Sequence, residues 1–322
     1  MAASGEHITA LVRSHASGDD PAFYSVALQV AAREARLGHH RLADDIKSTV
    51  EASRQAAPAT NVTRLAQPRG DLAELLVASH PEVTLRDLVV PNAMAAQIKQ
   101  VLLEQRQRRS LLEHGFAPSH RLLLEGPPGT GKTMTASVLA HELSLPLFTV
   151  RIDALMSKYM GETASKLRLV FDQVAERRGV YLFDEFDALG GDRSGNDVGE
   201  ARRILNAFLV FLEQASPDSL VIAATNHRAI LDRALFRRFD VVLTYALPDA
   251  RQASAVIRAR LGSLARGVVW ASVRTHLEGL SHADLVKAAE GAAKTALLRG
   301  DVAVTTDDLL AAISTRKAAS IA

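Results

Sequence analysis

Residues 121–133 read Arg121-Leu-Leu-Leu-Glu125-Gly126-Pro127-Pro128-Gly129-Thr130-Gly131-Lys132-Thr133. An apolar run of strand length ends in a turn holding three glycines, and a helical pattern, Met134–Leu143, follows at once. Glycine tolerates backbone conformations that other residues avoid, so this turn can fold back and aim successive N–H groups at one point. The helix start adds partial positive charge there. The spacing is G-x-x-x-x-G-K-[ST], a P-loop, and it stands in the context that motif requires. The expectation is that Gly126 to Met134 cradle the phosphates of ATP. Lys132 supplies a point charge to the β- and γ-phosphates, and the Thr133 hydroxyl ligates Mg²⁺.

Outward from this turn, Leu147–Ile152, Val180–Phe183, Leu220–Ala224 and Val241–Tyr245 are further apolar runs of strand length, separated by helical patterns. Such alternation predicts an α/β fold: a parallel sheet with helices on both faces. After Pro248 the strands stop, and Ala250–Leu264, Ala271–Leu277, Ser281–Leu298 and Thr306–Thr315 carry helical periodicity. Two S/T-x-x-D capping boxes, Ser281 with Asp284 and Thr305 with Asp308, mark helix starts in this part. Upstream, residues 57–70 carry two prolines and no steady period, as a linker does. Ile8–His15, Pro21–Leu37 and Arg41–Arg54 have helical spacing. The division expected is a helical N-terminal domain (1–56) that docks a substrate or partner, a linker (57–70), a large α/β domain (71–248) and a small helical lid (249–322).

The strand Val180–Phe183 ends in Asp184 and Glu185, 52 positions after Lys132. A strand end beside a P-loop is where Mg²⁺ needs an outer ligand beyond the Thr133 hydroxyl, which suits the Asp184 carboxylate. Glu185 is then placed to polarise the attacking water, a general-base role worth typically about 10²–10⁴-fold. The strand Leu220–Ala224 runs into Thr225 and Asn226, and an Asn there could hold the water or the γ-phosphate. Alone, an Asn after a strand is a turn residue.

Composition narrows the field. The chain has 322 residues, 48% hydrophobic and 23% charged, with a formal net charge of +2, so it is not built around a nucleic-acid backbone. It contains no cysteine, which excludes disulfides, thiolate metal sites and cysteine nucleophiles. The first 56 residues carry slightly more acidic than basic side chains, which suits protein docking better than nucleic-acid binding. No secretory signal opens the sequence, and the apolar runs are far shorter than a membrane span, so the expectation is a cytoplasmic protein.

With these pieces in place the sequence resembles an AAA ATPase of the group that includes katanin, spastin and the proteasomal ATPases, over about residues 85–315. The resemblance rests on Gly126–Thr133, on YLFDEFDAL at Tyr181–Leu189, on ATNHRAILDRALFRRFD at Ala224–Asp240 and on GLSHADL at Gly279–Leu285. It implies that the protein works as a homo-oligomeric ring, a hexamer in this group. It implies that Asn226 is the sensor 1 residue. Arg237 and Arg238 resemble arginine fingers reaching the neighbouring subunit's γ-phosphate, each such finger being worth about 10³–10⁵ in rate. Many members separate those arginines by Pro-Gly, whereas here they adjoin, and Arg237 is taken as the primary finger. His282-Ala283-Asp284 stands where the family has Gly-Ala-Asp, with no sensor 2 arginine. The stretch Asp87-Leu88-Val89-Val90 resembles the one that brackets adenine through backbone contacts, here Leu88 and Val89.

Lys158-Tyr159-Met160-Gly161 resembles pore loop 1, whose aromatic and apolar pair grips an extended polypeptide in the central channel. A second pore loop is placed in Gly190–Gly199. The resulting expectation is a ring that remodels, unfolds or disassembles a protein substrate. Stand-alone bacterial ATPases of this form, some beside a subtilisin-like protease, add the alternative of a separately encoded protease partner. The Arg106-Gln107-Arg108-Arg109 cluster is the best feature for a nucleic-acid motor or loader, and such runs are ordinarily solvated helix faces. An ATP-driven scaffold switch would need neither Glu185 nor Arg237.

Overall fold

The computed structural model describes residues 20–56, 70–156, 161–190, 198–227 and 233–321. The chain divides between Arg64 and Leu65 into two compact units. The first holds two helices, α1 (Asp20–Arg36) and α2 (His40–Ala56), which pack on each other through Ala27, Val30, Ala31, Ala43 and Val50. Gly38, at φ 87°, turns the chain between them, and His39 Nδ1 lies 2.7 Å from the buried Glu34 carboxylate. The stretch Ile8–His15 lies outside the described residues.

The second unit is built on a six-stranded sheet ordered β1-β3-β4-β5-β2-β6. The strands are β1 (Leu76–Ser79), β2 (Arg121–Glu125), β3 (Leu147–Val150), β4 (Val180–Phe183), β5 (Leu220–Thr225) and β6 (Val241–Thr244). All five strands expected from the sequence are present and pair parallel. The sheet is nevertheless mixed, because β1 adds an antiparallel edge against β3 that the sequence reading omitted. Leu75 and Leu76 bury while Val77 stays half exposed, so this edge strand offers only four residues and one buried face.

Helices cover both faces. On one lie α4 (Asn92–Arg106) and α6 (Lys132–Glu142), separated in sequence by the short α5 (Arg108–Glu113). On the other lie α8 (Glu162–Glu176) and α9 (Val198–Gln214), with the short α3 (Asp71–Leu75) and α7 (Ile152–Leu155) at the edge. Strand alternation sorts the residues between them: Val180 and Leu182 of β4 face α6, whereas Tyr181 and Phe183 face α8 and α9. After β5 comes the one-turn helix α10 (Arg233–Phe236).

The C-terminal part is helical with its own core: α11 (Ala250–Leu261), α12 (Trp270–Arg274), α13 (His282–Leu298) and α14 (Thr306–Ile321). Both expected capping boxes form, with Ser281 and Asp284, and Thr305 and Asp308, exchanging hydrogen bonds. A third, Asp249 with Gln252, opens α11. Helix α14 runs past the expected end at Thr315, and Arg316 pairs with Asp284 at 3.0 Å.

Candidate functional site

Because β2, β4 and β5 run parallel in adjoining or next-adjoining positions, their C-terminal ends come to one edge of the sheet, the usual place for a ligand in such folds. Glu125, Phe183 and Thr225 end these strands, and Gly126, Asp184 and Asn226 follow them. A cavity of about 590 Å³ opens there. Pro128, Gly129, Gly131, Lys132, Thr133, Met134, Asp184, Glu185 and Asn226 line it, and α13 forms the opposite wall. That size matches a small-molecule site.

The turn is compact for reasons its glycines explain. Gly126 sits at φ 143°, and a Cβ there would meet the Tyr245 carbonyl oxygen at 2.4 Å. At Gly129, φ 71°, a Cβ would meet Ser281 Oγ at 2.7 Å. Thr130 is buried, and its hydroxyl donates to the Pro127 carbonyl at 2.8 Å, closing the turn.

Lys132 is only 6% exposed. Its ammonium donates to the carbonyls of Gly126 (2.7 Å) and Pro127 (2.8 Å) and to Asn226 Oδ1 (2.8 Å). Burial pushes its pKa below the ordinary lysine value, while Asp184 and Asp187 pull it back up. Thr133 Oγ1 donates to Asp184 Oδ2 at 2.7 Å, and the other Asp184 oxygen accepts from the Glu185 N–H at 3.0 Å. Motifs 51 and 94 residues apart thus touch directly. Glu185 has φ 52°, a left-handed conformation costing a non-glycine residue roughly 1–2 kcal/mol. The fully buried Phe186 next to it holds that turn in place.

Asp187 was not anticipated from the sequence. Its carboxylate faces the Asn226 N–H at 3.4 Å and bears on the charge of Lys132. Its place three residues after Asp184 was the available signal. The wall formed by His282, Ala283, Val286, Lys287 and Glu290 was also missed, since it depends on how α13 approaches. Ala283 N–H donates to the Gly129 carbonyl at 3.0 Å, so this helix starts against the P-loop.

Other expected site residues lie elsewhere. Leu88 is buried beside Gly131, and the Val89 carbonyl accepts from His282 Nε2 at 3.0 Å; neither lines the cavity. Arg237 and Arg238 follow α10, are exposed, and do not line their own chain's cavity. Arg238 forms an ion pair with Glu213, whereas Arg237 has none among the described residues. Lys158, Tyr159 and Met160 lie outside the described residues, as do 191–197. Gly161, at φ 83°, immediately precedes α8. The arginine cluster is engaged within the chain: Arg106 with Glu142 and Arg108 with Asp218. Among the described residues, no helix is long and apolar enough to cross a membrane.

A phosphate-binding turn at a sheet switch point, two carboxylates on the neighbouring strand end and a helical wall above define a P-loop nucleoside triphosphatase. Comparison with known proteins narrows this. Residues 122–247 match the family described as "ATPase family associated with various cellular activities (AAA)". "Uncharacterized AAA family ATPase y4kL" of Sinorhizobium fredii is 33% identical over 300 residues, covering 92% of this chain and 90% of that protein. "Proteasome-activating nucleotidase" of Pyrococcus horikoshii is 32% identical over 247 residues, 74% of this chain and 62% of that one. "ATP-dependent zinc metalloprotease FtsH 4" of Sphaerobacter thermophilus is 35% identical over 196 residues, 58% of this chain but 30% of that protein. The chain belongs to the AAA family and is an ATP hydrolase.

Proposed function

We propose that the protein is a ring-forming, Mg²⁺-dependent ATPase that uses turnover to remodel a polypeptide drawn through a central pore. The observation that carries the chemistry is the direct meeting of Thr133 with Asp184 and of Lys132 with Asn226. A hydroxyl and a carboxylate in contact are a hard-oxygen donor set, so Thr133 and Asp184 would hold Mg²⁺, which neutralises phosphate charge when bound. Lys132 exchanges the P-loop carbonyls for β- and γ-phosphate oxygens. Glu185 takes a proton from water as the water oxygen bonds to the γ-phosphorus and the bond to ADP breaks. Asn226 orients that water or the γ-phosphate.

Arg237, exposed and without an ion pair among the described residues, acts as the finger in the neighbouring subunit's site, and Arg238 is held by Glu213. Mixing offers a check on this. Rings of Arg237→Ala and Glu185→Gln subunits should regain part of the activity each lacks alone; no recovery in rings shown to mix would refute action in trans.

The polypeptide substrate rests on the resemblance of Lys158–Gly161 to a pore loop, with residues 1–56 as the docking domain and 249–322 as the lid. The relatives' names, one an ATP-dependent metalloprotease and another a proteasome-activating nucleotidase, favour a second reading in which a separate protease receives the substrate. The test is Tyr159→Ala in an unfolding assay with a verified protein substrate. Hydrolysis should continue while unfolding fails. Full unfolding by this variant, or strong stimulation of hydrolysis by DNA but not by protein, would overturn the reading.

A further inference from the structure

The P-loop is held from beneath by two buried hydroxyls that take no part in lining the cavity. Tyr245 follows β6, Thr135 lies in the first turn of α6, and both are buried. Tyr245 N–H donates to the Glu125 carbonyl at 2.7 Å, and the Tyr245 backbone packs against Gly126. Its hydroxyl lies 2.6 Å from Thr135 Oγ1, which in turn donates to the Gly131 carbonyl at 3.1 Å. Tyr245 thus reaches both ends of the loop, the first glycine directly and the last through Thr135.

One arrangement of protons satisfies every member of this chain of groups. The Gly131 carbonyl can only accept, so the Thr135 proton is committed to it, and Thr135 Oγ1 then accepts from the Tyr245 hydroxyl. Burial keeps that phenol protonated, its pKa pushed up to about 12, while the bond to Thr135 opposes the shift. Gly131, at φ 103°, caps the start of α6. A trans peptide is planar, so holding the Gly131 carbonyl along the helix turns the Lys132 N–H the opposite way, toward the helix start where phosphate is bound. An apolar pair of the same shape would cost the fold little here, because removing both partners of a buried hydrogen bond can be nearly neutral. What such a pair could not do is hold the Gly131 carbonyl.

We propose that Tyr245 is a positioning residue: acting through Thr135, it holds the Gly131 carbonyl, keeps the P-loop shaped for phosphate and so sets how tightly nucleotide binds. This role rests on the reading of the cavity as the ATP site. Neither hydroxyl touches nucleotide or the attacking water, so affinity depends on them and the chemical step does not.

The test uses the full chain, with equilibrium binding of fluorescently labelled ADP, steady-state hydrolysis and urea denaturation. The variants are Tyr245→Phe, Thr135→Val, the two combined, and Lys132→Ala. Thr135→Val should bind ADP about three- to tenfold more weakly, the worth of one neutral hydrogen bond. Tyr245→Phe should weaken binding in the same direction and no further. KM for ATP should rise in step while kcat stays near wild type, and hydrogen exchange over residues 126–132 should quicken. Stability and affinity should part company in the combined variant. Thr135→Val leaves the Tyr245 hydroxyl buried without a partner, so it loses stability, which the added Tyr245→Phe should restore. Affinity should stay at the Thr135→Val level. Affinity that recovers along with stability, unchanged binding and exchange in either single variant, or a fall in kcat at constant KM overturns the positioning role. Binding weaker in the combined variant than in Thr135→Val overturns the route through Thr135. Wild-type nucleotide binding by Lys132→Ala would overturn the cavity assignment and this role with it. Loss of binding there, with no effect at Tyr245 or Thr135, overturns the role alone.

Discussion

The two faces of the central sheet are filled with different material. Toward α6 and α4 the core is aliphatic and contains small residues: Ala136 and Ala140 of α6 pack with Leu122, Leu124, Ile222 and Ala224. Toward α8 and α9 it is aromatic. Phe148 stacks on Tyr181 at 4.8 Å, and Phe208 meets Phe171, Phe183 and Phe186 with ring centroids 4.5–5.6 Å apart. The difference follows from what each face positions. The phosphate loop passes from β2 directly into α6, so that helix must lie close to the sheet, and alanines allow it. The carboxylates Asp184 and Glu185 hang from the end of β4, and the aromatic side chains before and after them, Phe183 and Phe186, anchor that end from the opposite face. One face therefore positions the P-loop and the other positions the carboxylates Asp184 and Glu185.

Substitutions on the two faces should separate these jobs. Phe208→Ala is expected to have the larger effect, destabilising by about 3–5 kcal/mol because it empties a site shared by three rings. Urea denaturation measures the loss, and in the surviving folded protein kcat should fall more than ATP affinity as the Glu185 turn loosens. Ala136→Leu should cost less, about 1–3 kcal/mol from overpacking. Its damage should appear mainly as weaker nucleotide binding, as α6 is pushed off the sheet. The opposite pairing, with affinity lost at Phe208 and kcat at Ala136, would break the division.

What the sequence displayed follows the same physics. Five strands were legible because each is a short apolar run; four of them are almost wholly buried, and β6, at the sheet edge, is half-buried. The sixth was not: in Asp71–Ser79 the apolar residues Leu72, Leu75 and Leu76 keep helical spacing straight into an edge strand. The C-terminal helices α13 and α14 were legible at their starts, where Ser281 and Thr305 cap them through local hydrogen bonds. Their ends were less so, since α14 continues through a helix-compatible stretch to Ile321. In the site, Lys132, Thr133, Asp184 and Asn226 could be read because each sits at a fixed offset from a strand end. His282 and Lys287 could not be placed in the cavity, because only the packing of α13 over the P-loop brings them there.

The central claim is that this cavity binds ATP and that Glu185, held at φ 52° on the end of β4, provides the base for its hydrolysis. The most direct measurement sets equilibrium ATP binding beside phosphate release for Glu185→Gln at saturating ATP and Mg²⁺. The account predicts binding within a few-fold of wild type and release slower by about 10²-fold or more, the usual worth of a general base. Near-normal phosphate release from the glutamine variant would contradict it.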